Sequence, residues 1–305
     1  MRRGDIWRFV RLSRPLFLLG GLLLYGLGLA IAYHSGARLD LWLAISGQAF
    51  VSSVQLTIHY SNEYVDSPSD TINLNRTPFS GGSGTLGPDG LPRRTALGAA
   101  IVSLASAAML AGRLVTRGDV PPMTWAIIAL GAAVAIAYST PPFRLVATGL
   151  GEALASITVA AIVPAIGFSL QTGGLSGVLL GATIPLIPLH FAMLLAFELP
   201  DETSDRATGK RTLVVRVGIS RGIQLIRAAV GLGAVTLVAG AGIGLPMPVV
   251  LTPMLVSPVA FFHLHSLRPG RLEEVGWPLV TGAGLALFAL TAFLEAVGFV
   301  VAGYA

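Results

Sequence analysis

Residues Leu175–Asp205 read LSGVLLGATIPLIPLHFAMLLAFELPDETSD. No Asp, Glu, Lys or Arg occurs in this stretch before Glu198. A helix needs roughly 20 consecutive apolar residues to cross a bilayer. The stretch therefore predicts a transmembrane helix over about 175–199, with a cluster of acidic residues directly after it.

Similar apolar runs recur along the rest of the chain. The protein has 305 residues, is 53% hydrophobic and has a mean hydropathy of +0.75, which is more than a soluble domain requires. It contains no cysteine, which excludes a disulfide framework and thiolate chemistry. We predict an all-α, multi-pass transmembrane bundle in a single domain, 1–305, with nine spans at about 14–35, 39–62, 94–116, 121–139, 147–171, 175–199, 221–243, 246–266 and 277–303.

The basic residues predict the orientation of this bundle. With a cytoplasmic N-terminus, 17 of the 20 Lys and Arg residues fall on the cytoplasmic side, and only Arg38, Arg113 and Arg117 fall on the other. This distribution follows the positive-inside rule and favours a cell (plasma or inner) membrane protein. The basic residues flank spans and have no interleaved aromatic surface, which argues against nucleic-acid binding despite a pI of about 10.1.

Two acidic clusters, Asn62–Asp70 and Glu198–Asp205, contain seven of the 15 acidic residues. They open the two longest polar loops, predicted at about 63–93 and 200–220, both on the cytoplasmic side. The clusters are four spans apart, which suggests two related four-helix halves plus a ninth helix. One such cluster could simply be loop acids that cap helices, but two matched clusters on the same side favour a functional site.

The spacing of the acids points to a metal-bound phosphate. His59 and Asp66 share one helical face with Gln55 and Asn62, so this polar stripe should face a cavity rather than lipid. Mg²⁺ prefers oxygen ligands and typically combines one or two carboxylates with substrate phosphates. Two facing clusters could therefore hold Mg²⁺ against a diphosphate, with the candidate ligands Asp66, Asp70, Asp201 and Asp205.

Cations lie close to the acids in the sequence. Arg76, Lys210 and Arg211 follow the clusters within a few residues and could contact a diphosphate. Lys210, the only lysine in the chain, could alternatively be an ordinary interfacial anchor.

A third polar segment lies at the cytoplasmic end of the fourth span. It contains Tyr138, Ser139 and Arg144. Arg144 could contact phosphate and Tyr138 could donate a hydrogen bond, although Tyr138 could also belong to an aromatic belt at the membrane interface.

At these residues the chain resembles the UbiA-type intramembrane prenyltransferases. The resemblance rests on an Asn-x₃-Asp-x₃-Asp motif at 62–70, an Asp-x₃-Asp motif at 201–205, Gly-Lys-Arg-Thr-Leu at 209–213, Tyr-Ser-x-Pro-Pro-x-Arg at 138–144 and Gly-Leu-Gly-Glu at 149–152. These motifs occur in the family's order and span most of the chain.

The resemblance implies an activity and a set of roles. The aspartates and Asn62 would bind Mg²⁺ and the diphosphate of a polyprenyl diphosphate. Ionisation would give an allylic cation that a lipophilic, usually aromatic, acceptor of quinone-precursor type attacks. Asp66, Asp201, Tyr138 and Arg144 would then be catalytic. Substrate would contact Asn62, His59, Ser139, Arg76, Lys210 and Arg211.

The sequence departs from the family pattern in ways that leave the acceptor open. Glu198 stands where several quinone-pathway relatives have Asn. Pro200 resembles the homogentisate-type branch, whereas residues 209–213 resemble the naphthoate-type branch. Pro68 predicts a kink or break that would prevent Asp70 from lying one turn beyond Asp66.

Two other classes of protein fit some of these features. A secondary transporter also uses broken helices and intramembrane acids, but its site should lie near the bilayer midplane, whereas these acids gather at one side. A membrane scaffold without enzymatic activity would leave the matched acids unexplained.

Overall fold

The computed structural model describes residues 3–118, 120–139, 145 and 148–303. Within these residues the regular structure is helical, apart from one isolated bridge between Leu86 and Leu91. The α-helices are α1 (Arg3–Leu12), α2 (Pro15–His34), α3 (Leu41–Ile72), α4 (Arg93–Arg117), α5 (Pro122–Ser139), α6 (Gly151–Ile157), α7 (Val163–Thr172), α8 (Gly177–Ala207), α9 (Leu213–Val217), α10 (Ile219–Gly240), α11 (Met247–Leu251), α12 (Ser257–Ser266), α13 (Arg271–Val275) and α14 (Trp277–Gly303).

Eight helical segments in the described part of the chain are long and apolar enough to cross a bilayer. They are Gly4–His34, Leu41–Ile72, Arg93–Arg117, Gly151–Thr172, Gly177–Ala207, Ile219–Ile243, Met247–Ser266 and Trp277–Gly303. The remaining predicted span, 121–139, corresponds to α5, whose apolar part, Pro122–Ala135, is shorter. The all-α, multi-pass prediction is confirmed.

The two helices that carry the acidic clusters extend further than the sequence predicts. α3 continues to Ile72 instead of ending near 62, and α8 continues to Ala207 instead of ending near 199. The connections that follow are therefore shorter than the predicted loops, at 73–92 and 208–212. Both acidic clusters consequently lie on helices.

Pro68 lies inside α3 without ending it, which corrects the expected break. A proline has no N–H to donate to the carbonyl four residues earlier, here that of Tyr64. Arg93 Nε donates to the Tyr64 carbonyl oxygen instead, at 2.6 Å, and its guanidinium lies 4.1 Å from the centre of the Tyr64 ring. Asp66 and Asp70 are thus one turn apart on a continuous helix.

The end of the bundle opposite the acids is joined by a separate polar cluster. Asp40 caps α3 by accepting the Leu43 N–H at 3.0 Å, and it pairs with Arg117 at the end of α4 at 2.6 Å. Gln171 of α7 accepts the Asp40 N–H at 2.7 Å. These contacts fix three helix ends together and satisfy one of the unpaired N–H groups at the start of α3.

Helices α2 and α7 cross so closely that glycines are required at the crossing. A Cβ on Gly28 would lie 2.1 Å from the Pro164 carbonyl oxygen, and a Cβ on Gly167 would lie 2.6 Å from the Tyr25 carbonyl oxygen. Small residues allow this approach between membrane helices, which associate mainly through packing. The crossing places α2 in the bundle core, where Tyr25 is fully buried.

We expect Gly28→Ala to destabilise the protein by about 1–3 kcal/mol, because backbone atoms must move to admit the methyl group. Thermal unfolding of the detergent-purified protein measures the effect. Gly20→Ala is the matched control, because Gly20 lies on the same helix and has no neighbouring atom within 4 Å of its Cβ position. Equal melting temperatures for the two variants would contradict the close crossing.

Candidate functional site

The two acidic clusters meet at one end of the bundle around a single ammonium group. α3 carries Asp66 and α8 carries Asp205, and the Lys210 side chain from the 208–212 connection lies between them. Lys210 Nζ is 3.1 Å from Asp66 Oδ2 and 3.6 Å from Asp205 Oδ1. The structure therefore brings together residues that are about 140 positions apart in the sequence.

Lys210 is held in its charged form by this setting. Burial alone would lower the pKa of the Lys210 amine, but the Asp66 and Asp205 carboxylates raise that pKa above its ordinary value. The backbone N–H of Lys210 also donates to the Asp205 carbonyl at 2.9 Å. The ammonium thus supplies a fixed positive charge between the two motifs.

Asp201 is bound by the 73–92 connection, which folds back over the end of α8. Asn73 Nδ2 donates to Asp201 Oδ1 at 2.7 Å, and the Gly81 N–H donates to Asp201 Oδ2 at 3.0 Å. Both oxygens therefore have a donor from the same connection. This arrangement fixes the orientation of the carboxylate and brings the first polar connection onto the second motif.

Glycines with positive φ allow the connection to lie this close. Gly81, Gly82 and Gly84 have φ values of 72°, 73° and 68°, a region that side-chain-bearing residues rarely adopt. A Cβ on Gly82 would lie 2.2 Å from Asp70 Oδ2, and a Cβ on Gly84 would lie 2.4 Å from Arg76 Nη1. The backbone of the connection thus packs directly against the carboxylate of Asp70.

A second buried carboxylate, which sequence reasoning missed, supports the same connection. Glu63 is 3% exposed. Its carboxylate accepts a hydrogen bond from Arg14 Nε at 2.7 Å. It also accepts hydrogen bonds from the Ser83 N–H at 2.8 Å and from the Ser83 hydroxyl at 2.7 Å. Arg14 precedes α2 with φ 49°, an unusual value for a residue with a side chain. One available signal was that Glu63 is the acid nearest the membrane in the first cluster and so needs a partner.

Glu152 and Glu198 hold the start of α9 in a similar way. Glu152 Oε1 accepts the Leu213 N–H at 2.9 Å, and Glu198 Oε2 accepts the Val214 N–H at 3.1 Å. Because α9 follows the 208–212 connection directly, these contacts anchor the segment that carries Lys210. Glu198, which departs from the family pattern, thus has a positioning contact in this chain.

The other predicted site residues differ in their placement. His59 precedes Asp66 on α3 by about two turns, with Nδ1 3.4 Å from the Ser13 carbonyl oxygen. Arg76 donates to the Asp70 carbonyl oxygen, and Asn62 is half-buried on the same helix as Asp66. Arg211 is exposed. Arg144 and the side chains of Tyr138 and Ser139 lie outside the described residues.

The donor set at this end of the bundle fits a hard divalent cation. Asp66, Asp70, Asp201 and Asp205 offer carboxylate oxygens, which Mg²⁺ prefers, and the Lys210 ammonium shows that a cation is stabilised between the two motifs. Among the described residues, no three His, Cys, Asp or Glu side chains form a ready-made metal cluster. A bound cation would share or displace contacts that Lys210 and the 73–92 connection now make.

One comparison with known proteins shows the family. The model of the UbiA prenyltransferase family matches residues 21–276. The chain belongs to the UbiA prenyltransferase family. The sequence matches none of the curated proteins.

Solved structures share the fold of this UbiA-family chain along almost its whole length. A UbiA homologue from Archaeoglobus fulgidus bound to GPP and Mg²⁺ is 15% identical, with a TM-score of 0.64 over 96% of this chain and 99% of that chain. The apo UbiA homologue from Aeropyrum pernix K1 is 16% identical, with a TM-score of 0.63 over 92% and 97%. A digeranylgeranylglyceryl phosphate synthase is 13% identical, with a TM-score of 0.57 over 98% and 99%.

We expect Gly82→Ala to weaken Mg²⁺ and inorganic diphosphate binding by roughly 10-fold or more, because the added methyl group displaces the Asp70 carboxylate or the connection itself. Isothermal titration calorimetry of the purified protein measures this. Gly36→Ala is the control: Gly36 also has a positive φ, 84°, but no atom within 4 Å of its Cβ position. Both variants carry similar backbone strain, so equal binding by the two would contradict the close contact.

Proposed function

We propose that this protein transfers a prenyl group from a polyprenyl diphosphate to a lipophilic, aromatic acceptor of the quinone-precursor type, with Mg²⁺ as cofactor. The observation that carries the proposal is the Lys210 bridge, which joins the Asp66 and Asp205 carboxylates around one positive charge. Membership of the UbiA prenyltransferase family supports the reaction class. Relatives of the same fold bind GPP or DMAPP together with Mg²⁺.

The residues at this end of the bundle divide between metal and diphosphate. Mg²⁺ would be held by Asn62, Asp66, Asp70, Asp201 and Asp205, and when bound it would neutralise charge on the diphosphate leaving group. Lys210, Arg76 and Arg211 would supply further positive charge to the diphosphate. His59, Tyr138, Ser139 and Arg144 would complete the substrate contacts.

The proposed reaction is an alkylation of the acceptor. The bond between donor C1 and the diphosphate oxygen breaks, and its electron pair leaves with the diphosphate. A carbon of the acceptor ring forms the new bond to C1, and the ring then loses the proton from that carbon. The chain's own contribution is to fix the diphosphate at the acidic end and to keep the allylic carbon away from water.

The proposed orientation follows from the distribution of basic residues. The acidic end would face the cytoplasm of a cell with the protein in its plasma or inner membrane, which matches the positive-inside rule. The polar diphosphate would then arrive from the cytoplasmic side. The prenyl chain and the acceptor would enter from the bilayer.

We expect Asp66→Asn and Asp201→Asn each to reduce prenyl transfer by on the order of 10²-fold or more, because each removes a carboxylate that would hold the metal against the diphosphate leaving group. Mg²⁺-dependent release of diphosphate, measured with donors of several lengths and a panel of aromatic acceptors, gives the rate. Asp89→Asn, a change at an exposed acid of the 73–92 connection, should retain wild-type activity. If the wild type showed no turnover but transported substrate in vesicles, the protein would instead be a secondary transporter.

We expect Lys210→Met to lower the stability of the metal-free protein by ~2 kcal/mol or more, since it leaves the buried Asp205 carboxylate and the half-buried Asp66 carboxylate without their cation. Added Mg²⁺ should then raise the melting temperature of this variant more than that of the wild type, because the ion takes over the missing charge. Arg271→Met removes an exposed ion pair with Glu274 and should change stability by about 1 kcal/mol at most. If Mg²⁺ raised the melting temperature of the wild type and of Lys210→Met equally, this would contradict the idea that Mg²⁺ binds where the Lys210 ammonium lies.

A further inference from the structure

Two buried polar side chains near Lys210 each leave an atom unpaired. Glu152 at the start of α6 is 3% exposed, and Thr212 at the end of the 208–212 connection is 4% exposed. Among the described residues, neither Glu152 Oε2 nor Thr212 Oγ1 has a hydrogen-bond partner. Buried polar atoms are nearly always paired, so an unpaired one calls for an explanation, such as a ligand that supplies the partner. We call Glu152 and Thr212 the polar pair.

One hydrogen bond keeps the two members of the polar pair beside each other. Glu152 Oε1 accepts the Leu213 N–H at 2.9 Å, and Leu213 directly follows Thr212. The first carboxylate oxygen thus anchors the start of α9, whereas the second is left for another donor. An ionised carboxylate accepts hydrogen bonds only, and a hydroxyl can both donate and accept. Together they match a hydroxyl group, which would donate to Glu152 and accept from Thr212.

The polar pair lies close to the proposed diphosphate site. Thr212 is two residues from Lys210, whose ammonium lies between the two aspartate motifs. The Glu152 carboxyl group lies against that of Glu198. Glu198 precedes Asp201 by three residues and so lies on the same side of α8. Glu198 is only half-buried, which leaves part of it within reach of a small molecule.

The two glutamates limit the charge that a ligand can carry here. Glu152 and Glu198 bring two carboxyl groups together, while Lys210 is already engaged by the aspartates. Arg216, the cation of α9, is exposed. A ligand carboxylate would therefore meet like charge, which costs binding energy in a partly buried site. A neutral ring with a hydroxyl group avoids that cost.

We propose that the polar pair binds a hydroxyl group of the acceptor, and that the acceptor is a neutral hydroxylated ring without a carboxylate. The proposal rests on the proposed function and specifies the substrate class of the same site. The hydroxyl group donates to Glu152 Oε2, and its oxygen accepts from Thr212 Oγ1. Donation to a carboxylate increases the electron density of the ring, which favours attack of a ring carbon on donor C1.

The test compares the binding of three related rings. The probes are 1-naphthol, its methyl ether and 4-hydroxy-1-naphthoate, each titrated into the purified protein with Mg²⁺ and inorganic diphosphate present. We expect the wild type to bind 1-naphthol roughly 10-fold more tightly than either of the others, because the ether has no O–H to donate and the naphthoate adds a negative charge.

Two nearly isosteric variants test the polar pair itself. Glu152→Gln keeps an oxygen for the Leu213 N–H but replaces Oε2 with an amide NH₂, which cannot accept. We expect it to reduce the preference for 1-naphthol over the ether to about twofold, and to raise the acceptor KM of prenyl transfer at unchanged donor KM. Thr212→Val, which removes only the hydroxyl, should weaken 1-naphthol binding by roughly 3- to 10-fold. It also serves as the test if Glu152→Gln does not fold.

Glu295→Gln is the matched control for the loss of a buried carboxyl group. Glu295 of α14 is fully buried, and neither of its carboxyl oxygens has a partner in the described part of the chain. The change should leave the order of affinities for the three rings intact. Equal loss of preference in Glu295→Gln, a wild type that does not distinguish 1-naphthol from its ether, or tighter binding of the naphthoate would each overturn the proposal.

The outcomes also separate this proposal from the proposed function. If the wild type transfers prenyl groups while Glu152→Gln and Thr212→Val keep its full preference for 1-naphthol, the assignment of the polar pair alone is wrong. A wild type that neither releases diphosphate nor transfers a prenyl group would overturn the proposed function itself, whichever ring binds best.

Discussion

The electrostatic attraction between Lys210 and the carboxylates of Asp66 and Asp205 is the contact on which the acidic end of the bundle depends. Two helices that each bring aspartates to one place would repel each other, and partly buried charges need partners to be tolerated. The ammonium offsets that repulsion, and the two carboxylates in turn raise the pKa of Lys210 against the effect of burial. The same contact fixes how the end of α8 faces the end of α3.

The other buried carboxylates at this end also need partners, and they accept hydrogen bonds from other segments. Asp201 binds the 73–92 connection to α8 through hydrogen bonds from Asn73 and Gly81. Glu63, which is paired with Arg14, binds the same connection through hydrogen bonds from Ser83. Each carboxylate that binds a donor from another segment also fixes that segment. The folded shape of this connection is thus a consequence of satisfying acids, and its positive-φ glycines let the backbone come within contact distance.

The sequence predicts the class of fold and the pairing of the two motifs better than it predicts their local geometry. Long apolar runs depend only on length and composition, so eight of the nine predicted spans appear as membrane-length helices. Pro68 does not break α3, because a donor from outside that helix compensates for the missing N–H. The compensating donor, Arg93, begins another helix. Likewise, nothing local to Glu63 or Glu152 in the sequence identifies Arg14 or Leu213 as their partners, since these contacts exist only after the helices have packed.

The order of side chains along α8 explains how one helix can serve both water and lipid. Phe197, Asp201 and Asp205 follow each other at intervals of four residues and so share a face, which passes from apolar ring to paired carboxylate toward the end of the bundle. A reversed order would place the acids deeper in the bilayer, where a carboxylate costs roughly 2.5–3.5 kcal/mol on insertion scales. α3 follows the same order, with His59 below Asp66 and Asp70. Under the proposed function, this polarity sets the direction of the donor, with the diphosphate at the acidic end and the prenyl chain toward the membrane interior.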